Sequence, residues 1–386
     1  MKPVMTYRGE NCNNCIKCVK SCPTDAISII KGKVVIDEHK CIHCHVCVQT
    51  CDQKLLKIRQ VDLEEAFSKH QYNIALIPTS ILSDFEYFDE LKDFIHAIKE
   101  FRFDEVVQYS DIEGALYLQA LKDCQESSQV MLTSFCPIVN RYIKLEYPTL
   151  IDHLLPYEYP VEIAAKKIRE KYNDKDIGIF SLCECTGKLT LAKEPLGNEE
   201  SHIDYALSIS RMFPHFNKRK GEGKENLEIN RYGAMSNVGH LYGQDHLSVM
   251  SVEGLMQIKN ALELIEFDQL KNVKLLALYH CYQGCIGGYY LWSNPFEGRI
   301  HIESMLNNCV GQLACLNKED YYKEHHSDME VQTFQQRMAW FQKVNSILET
   351  LPQYDCGSCG FASCRGLASR IASGEADDSL CRVKKR

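Results

Sequence analysis

The chain has 386 residues, 45% of them hydrophobic and 25% charged, a composition that suits a globular protein with more than one core. Its net charge of −8 excludes a nucleic-acid binder, which needs a basic face, and the basic tail Arg382–Arg386 is too short to change that. No apolar run reaches the roughly 20 residues that span a bilayer, and the start MKPVMTYRGENC lacks the apolar stretch of a secretory signal.

Twenty cysteines would suggest disulfides only in a small secreted domain. Here sixteen of them fall into four sets of four. The first two sets form an internal repeat, Cys12-x2-Cys15-x2-Cys18-x3-Cys22-Pro23 and Cys41-x2-Cys44-x2-Cys47-x3-Cys51. This is the spacing of a two-cluster ferredoxin, in which three cysteines of one run and the last of the other share a cube. The sets are therefore Cys12, Cys15, Cys18 with Cys51, and Cys41, Cys44, Cys47 with Cys22. Each iron needs a soft anionic ligand, and a tight loop presents three corners of one cube. Zinc prefers isolated cysteine pairs or cysteine with histidine. Pro23 fits the pattern, and Asp52 replaces the second proline. His43 and His45 are read as loop residues, and Val34–Ile36 as a short strand. Residues 1–59 are thus expected to form a module with two 4Fe–4S clusters. Such cubes are oxygen-sensitive when exposed, so a reducing, anoxic cytoplasm is the expected setting.

Beyond this module, short apolar runs alternate with helical patterns. Asn73–Ile77, Glu105–Gln108, Val130–Thr133, Ile177–Phe180, Ile203–Leu207 and Val273–Leu278 read as buried strands. Phe85, Phe88, Leu91, Phe94, Ile95 and Ile98 recur at helical spacing and read as a face packed on a sheet. The alternation implies a mostly parallel sheet covered by helices, an α/β domain over residues 60–350. Pro214–Glu228, with Lys218–Lys220 and two glycines, reads as a solvated loop. Residues 331–351 form a further helix, with Phe334, Met338, Phe341, Ile347 and Leu348 packed in a core or between domains. Residues 351–386 carry the last set, Cys356, Cys359, Cys364 and Cys381. Gly357 and Gly360 let its backbone turn tightly and aim amides at sulfur. This tail resembles a small, helical four-cysteine iron–sulfur domain of anaerobic electron-transfer proteins, with a closed zinc site as the alternative. Cys124, Cys309 and Cys315 are left over and are expected to be buried small apolar residues.

The remaining set, Cys136, Cys185, Cys281 and Cys285, is dispersed, each member at or just beyond a strand end. Strand-end loops of parallel sheets are where ligands bind. The three stretches are Thr133-Ser134-Phe135-Cys136-Pro137, Cys183-Glu184-Cys185-Thr186-Gly187-Lys188 and Cys281-Tyr282-Gln283-Gly284-Cys285-Ile286-Gly287-Gly288. They resemble the three signatures of the catalytic domain of iron–iron hydrogenases, TSCCP, PCxxK and CxGGCxxGG. With the ferredoxin module, the C-terminal cysteines and CPIVNRYIKLEYPTLI, the chain looks most like the sensory branch of that family.

The resemblance implies roles. Cys136, Cys185, Cys281 and Cys285 would hold a third cube, and Cys285 would bridge it to a two-iron subsite carrying carbon monoxide, cyanide and an azadithiolate. Lys188 would donate to one cyanide, and Pro78 and Thr79 would face the other; Ser134 stands beside the site. The departures are as informative. The family's proton-relaying cysteine is Phe135 here. A methionine, a proline and a second methionine are replaced by Cys183, Glu184 and Tyr279. Cys183 and Cys185, two apart in extended chain, would project to one side, making Cys183 a substitute thiol. Glu253 is a second proton-relay candidate, or a solvated glutamate at a helix start. The implied activity is slow, sensory-type reversible hydrogen oxidation, with electrons passing through four 4Fe–4S clusters to a redox partner protein and any signal passing to a separate partner. The alternative is an electron-transfer or regulatory protein on the same fold without the two-iron subsite.

Overall fold

The protein, as a computed structural model, is described for residues 5–173, 175–192, 201–216, 221–224, 227–326 and 334–384. It divides into two compact units, one of Met1–Arg59 with Ser327–Arg386 and one of Gln60–His326. Among the described residues no helix is long and apolar enough to cross a membrane.

In the first unit, β1 (Met5–Tyr7) pairs antiparallel with β4 (Leu56–Ile58), and β2 (Ile27–Ile30) with β3 (Lys33–Ile36). The internal repeat is visible in the backbone. Asn14 and Ile16 in the first cysteine run have φ of 54° and 55°, and His43 and His45 at the matching places have 56° and 68°. Such left-handed conformations cost of order 1–3 kcal/mol each outside glycine and persist where the surroundings impose them. The helix Phe334–Glu349, expected in the central domain, packs instead on the C-terminal cysteine segment. Val344 is buried with Leu351, Phe361, Leu367 and Ala368, and Ile347 and Leu348 flank them. Met338 and Phe341, expected to be packed, are exposed. The side chain of Phe334 lies outside the described residues.

The second unit is built on two parallel sheets. One has the order β6-β5-β8-β9, from Glu105–Gln108, Tyr72–Ile77, Ile177–Cys183 and Tyr205–Ser208. The other has the order β10-β11-β7, from Val249–Glu253, Leu275–Tyr279 and Met131–Leu132. β8 and β11 are buried throughout, as parallel strands covered on both faces must be. Ile74, Leu76, Ile179, Leu275 and Ala277 share one core, where a fully buried Ile or Leu stabilises by about 1.5–3 kcal/mol. The expected stripe lies on the helix Phe88–Glu100, with Leu91, Phe94, Ile95 and Ile98 buried. Sequence reading missed β10. Part of the loop read as solvated is pinned: the buried carboxylate of Asp93 accepts the N–H groups of Gly221 and Gly223 at 2.6 and 2.7 Å. Lys218–Lys220 lie outside the described residues. Cys124 and Cys309 are buried as expected, whereas Cys315 is exposed: it lies in an irregular segment whose neighbouring residues Ala314 and Leu316 are the ones that pack on the core.

Candidate active site

The dispersed cysteines come together where the C-terminal ends of the two parallel sheets meet. Cys136 follows β7 and caps the helix Pro137–Glu146, whose first position is proline, as helix starts favour. Burial raises its thiol above the usual cysteine value, while the backbone amides of His280, Val139 and Ile138 oppose that by donating to the sulfur. Cys185 follows β8 and caps the short helix Thr186–Leu189. Cys281 follows β11, and Cys285 opens a tight turn after Gly284, whose φ is +90°. A Cβ on Gly284 would stand 2.5 Å from the carbonyl oxygen of Asn237, so only glycine fits.

Polar ties fix these loops to one another. Thr133 Oγ1 accepts the N–H of Leu278 at 2.9 Å, and Asn140 Nδ2 donates to the Ser134 carbonyl at 2.5 Å. The N–H of Tyr290 donates to the Glu184 carbonyl at 2.8 Å. Glu253 Oε2 accepts the N–H of Gln283 at 2.7 Å. Glu253 does stand just before the helix Leu255–Glu266, but its carboxylate is engaged by the loop and not left to solvent. It ends β10 and clamps the loop between Cys281 and Cys285, and it lines neither cavity of the site.

Cys136, Cys185, Cys281 and Cys285 line one cavity, with Phe135, Glu184, Lys188 and Tyr279. A second cavity of about 50 Å³, room for a few water-sized molecules, adjoins it. Its walls include Ser134, Glu113, Asn237 and Tyr242. Phe135, Lys188 and Cys285 line both. The Phe135 ring lies 4.9 Å from Tyr279 and 6.0 Å from Tyr242, and the Tyr279 hydroxyl donates to the Ser236 carbonyl at 2.7 Å.

Charges are buried here. Lys188 Nζ lies 2.6 Å from Glu184 Oε1, with the two side chains 11% and 1% exposed. Burial works against the ammonium, but Glu184, Tyr109, Cys285 and Glu113 together hold it protonated, well above the usual lysine value. Glu113, on the helix Ser110–Glu126, accepts Asn237 Nδ2 at 3.0 Å. Burial pushes its carboxyl up to about 7, against the pull of Lys188 and Thr79. Nothing in the sequence marked Glu113; only its place on the cavity wall does.

Pro78 and Thr79 are buried at the end of β5, with Thr79 beside Glu113. Cys183 is fully buried, its thiol 3.4 Å from the Ser181 hydroxyl, and it lines neither cavity. The alternation that would align it with Cys185 fails because the chain bends at Glu184 and Cys185. Burial pushes the Cys183 thiol up to about 12.

In the first unit, Cys12, Cys15, Cys18 and Cys51 line a cavity of about 130 Å³, and Cys22, Cys41, Cys44 and Cys47 line another. Each cavity is lined by three cysteines of one run and the last of the other. His43 and His45 are more than loop residues: both are buried in the wall of the second cavity, and burial lowers His45 to about 4. In the C-terminal segment, Cys359, Cys364 and Cys381 gather at one core, and the charge of Cys356 acts on Cys359. Among the described residues no three His, Cys, Asp or Glu side chains converge on a single ion.

Residues 79–244 match the sequence model of the iron only hydrogenase large subunit, C-terminal domain. Residues 5–52 match a 4Fe-4S dicluster domain, and residues 351–383 a small Fe-S cluster domain. Two iron–iron hydrogenase structures from Chlamydomonas reinhardtii share the fold, each with a TM-score of 0.50. They are 13% and 12% identical, and each match covers 69% of this chain and 98% of theirs. Among curated proteins, a component of the ion-translocating oxidoreductase complex of Methanosarcina acetivorans is 42% identical over 58 residues, 15% of this chain. A polyferredoxin-like subunit of an aliphatic sulfonate oxidoreductase of Pyrococcus furiosus is 46% identical over 43 residues, 11% of this chain. The matches span only 22% and 25% of those two proteins.

Proposed function

We propose that this chain, an iron-only hydrogenase type of protein by its central domain and an iron–sulfur protein by its flanking ones, is a slow, sensory-type iron–iron hydrogenase. One observation carries this reading. Cys285, Lys188 and Phe135 each face both the four-cysteine cavity and the smaller-ligand cavity beside it. That position supports Cys285 as the residue that would hold both a cube and a two-iron group. The donor set fits: thiols for soft metal, a buried ammonium for an anionic ligand, and an aromatic wall that keeps water out.

When bound, the two-iron group supplies the centre at which hydrogen is cleaved heterolytically. The chain's own residues decide how protons and charge reach it. Lys188, a buried cation on the wall of both cavities, would face an anionic ligand of that group. Glu113, with its carboxyl near neutrality, takes up and releases a proton at the cavity wall. Phe135 has no proton to give. Cys183 does not replace the missing relay, because its thiol turns toward Ser181. A positioned acid or base contributes about 10²–10⁴ in rate, roughly 3–5 kcal/mol of barrier. Turnover is therefore slow, which suits a reporter of hydrogen better than a bulk catalyst. The 4Fe–4S groups that the other cysteine sets would hold would supply electron transfer to a redox partner protein in an anoxic cytoplasm, and a second protein would relay any signal.

The test is hydrogen-dependent reduction of a viologen dye by protein matured with the two-iron group. Slow dye reduction that disappears in Cys285→Ala supports the reading. No reduction by fully loaded protein contradicts it.

A further inference from the structure

The C-terminal cysteine segment is seated on the first ferredoxin loop. The N–H of Ile29 donates to the Gly360 carbonyl at 2.9 Å. A Cβ on Gly360 would stand 2.0 Å from the Ile29 carbonyl oxygen, and one on Gly357 would stand 2.3 Å from Ile16 Cδ1. Both glycines have positive φ, +89° and +75°, so the loop approaches as closely as backbone can. The partners are telling. Ile16 and Ile29 both line the cavity of Cys12, Cys15, Cys18 and Cys51. Ile16 is covalently next to Cys15, and Gly357 is next to Cys356, so one side-chain contact joins the two sets. On the far side, Arg370 pairs with Asp37 at 3.1 Å and fastens the helix Cys364–Ala372 to the same unit.

Resting on the four-cube reading above, we infer that the C-terminal set is the redox neighbour of the Cys12–Cys15–Cys18–Cys51 set and exchanges single electrons with it through the Ile16–Gly357 contact. One set loses one electron and the other gains it; no bond or proton moves. A structural clip would need neither the close approach of two glycines nor a partner residue bonded to a cluster cysteine. Arg370–Asp37 alone would serve as a fastener.

The test uses the full chain, reconstituted anaerobically and poised at stepped potentials for electron paramagnetic resonance. Wild type should show spin–spin splitting of the first set's signal that grows as a further cube is reduced. Cys359→Ala should lose that splitting together with one cube's worth of iron and sulfide. Cys15→Ala should lose it too, while Cys44→Ala keeps it. Signals that simply add at every potential in wild type overturn the inference, and this measurement needs no variant to fold. Splitting lost in Cys44→Ala but kept in Cys15→Ala also overturns it. If Cys359→Ala retains all the iron, or the set holds zinc, the four-cube reading fails as well. A loss of iron with additive spectra removes only the coupling.

Discussion

Glu253 and Gln283 are joined by a 2.7 Å hydrogen bond from the Gln283 N–H to the Glu253 carboxylate. Gln283 stands between Cys281 and Cys285 with a φ of 63°, so the bond holds a strained residue in the loop that carries two of the site's cysteines. A hydrogen bond to a charged group contributes about 1.5–3 kcal/mol. Glu253→Ala should lower the melting temperature and speed chelator-driven iron loss from the central unit. Glu253→Gln, whose amide oxygen still accepts, should recover most of both. Equal iron loss in the two variants would remove the clamp.

On the proposed function, Phe135 stands where a proton donor would be needed. In protein with the two-iron group loaded, Phe135→Cys should raise hydrogen turnover by about 10²-fold or more. It should also lower the melting temperature, because the ring packs on Tyr242 and Tyr279. Cys183→Ala should leave the residual rate unchanged, since that thiol lines neither cavity.

Glu113 makes stability depend on pH in a definite direction. Its folded pKa of about 7 lies above the ordinary 4.5, so the folded state holds a proton that the unfolded chain releases. This stabilisation is full below about pH 4.5 and is lost as pH rises through about 7. At 1.36 kcal/mol per pKa unit the span is about 3 kcal/mol. Glu113→Gln should flatten the melting temperature between about pH 5 and 8, measured by calorimetry. An unchanged slope would place the titration elsewhere.

Glu184 and Lys188 form a buried pair, and removing one partner strands the other. Breaking such a pair costs about 3–5 kcal/mol, while replacing both with apolar residues is far milder. Glu184→Ala and Lys188→Met should each lower the denaturant midpoint strongly, and the double variant should fall by less than the sum. Additive losses in this cycle would mean that the 2.6 Å contact contributes no coupling.

The parts legible in the sequence were those set by local spacing. The crossed ferredoxin sets follow from a three-residue rhythm, which a tight loop converts directly into geometry. The buried parallel strands follow from apolar runs. The dispersed set was legible only through resemblance, because Cys136, Cys185 and Cys281 are brought together by sheet topology and not by spacing. Glu113 was invisible, since one carboxylate on an amphipathic helix looks like any other until the cavity is known. Cys183 was misplaced because strand alternation was carried past a bend. Glu253 was misplaced because β10 went unread: the helix Leu255–Glu266 does begin just beyond it, capped by Gly254, but Glu253 is the last strand residue and its carboxylate binds the Gln283 N–H.

The central claim is that Cys285 and Lys188 frame a two-iron group. Infrared spectroscopy of protein produced with the hydrogenase maturation machinery tests it most directly, because iron-bound carbon monoxide and cyanide absorb where protein does not. Such bands are expected in the wild type, with cyanide bands displaced in Lys188→Met and no bands in Cys285→Ala. Fully cube-loaded, matured wild type without carbon monoxide or cyanide bands would contradict it.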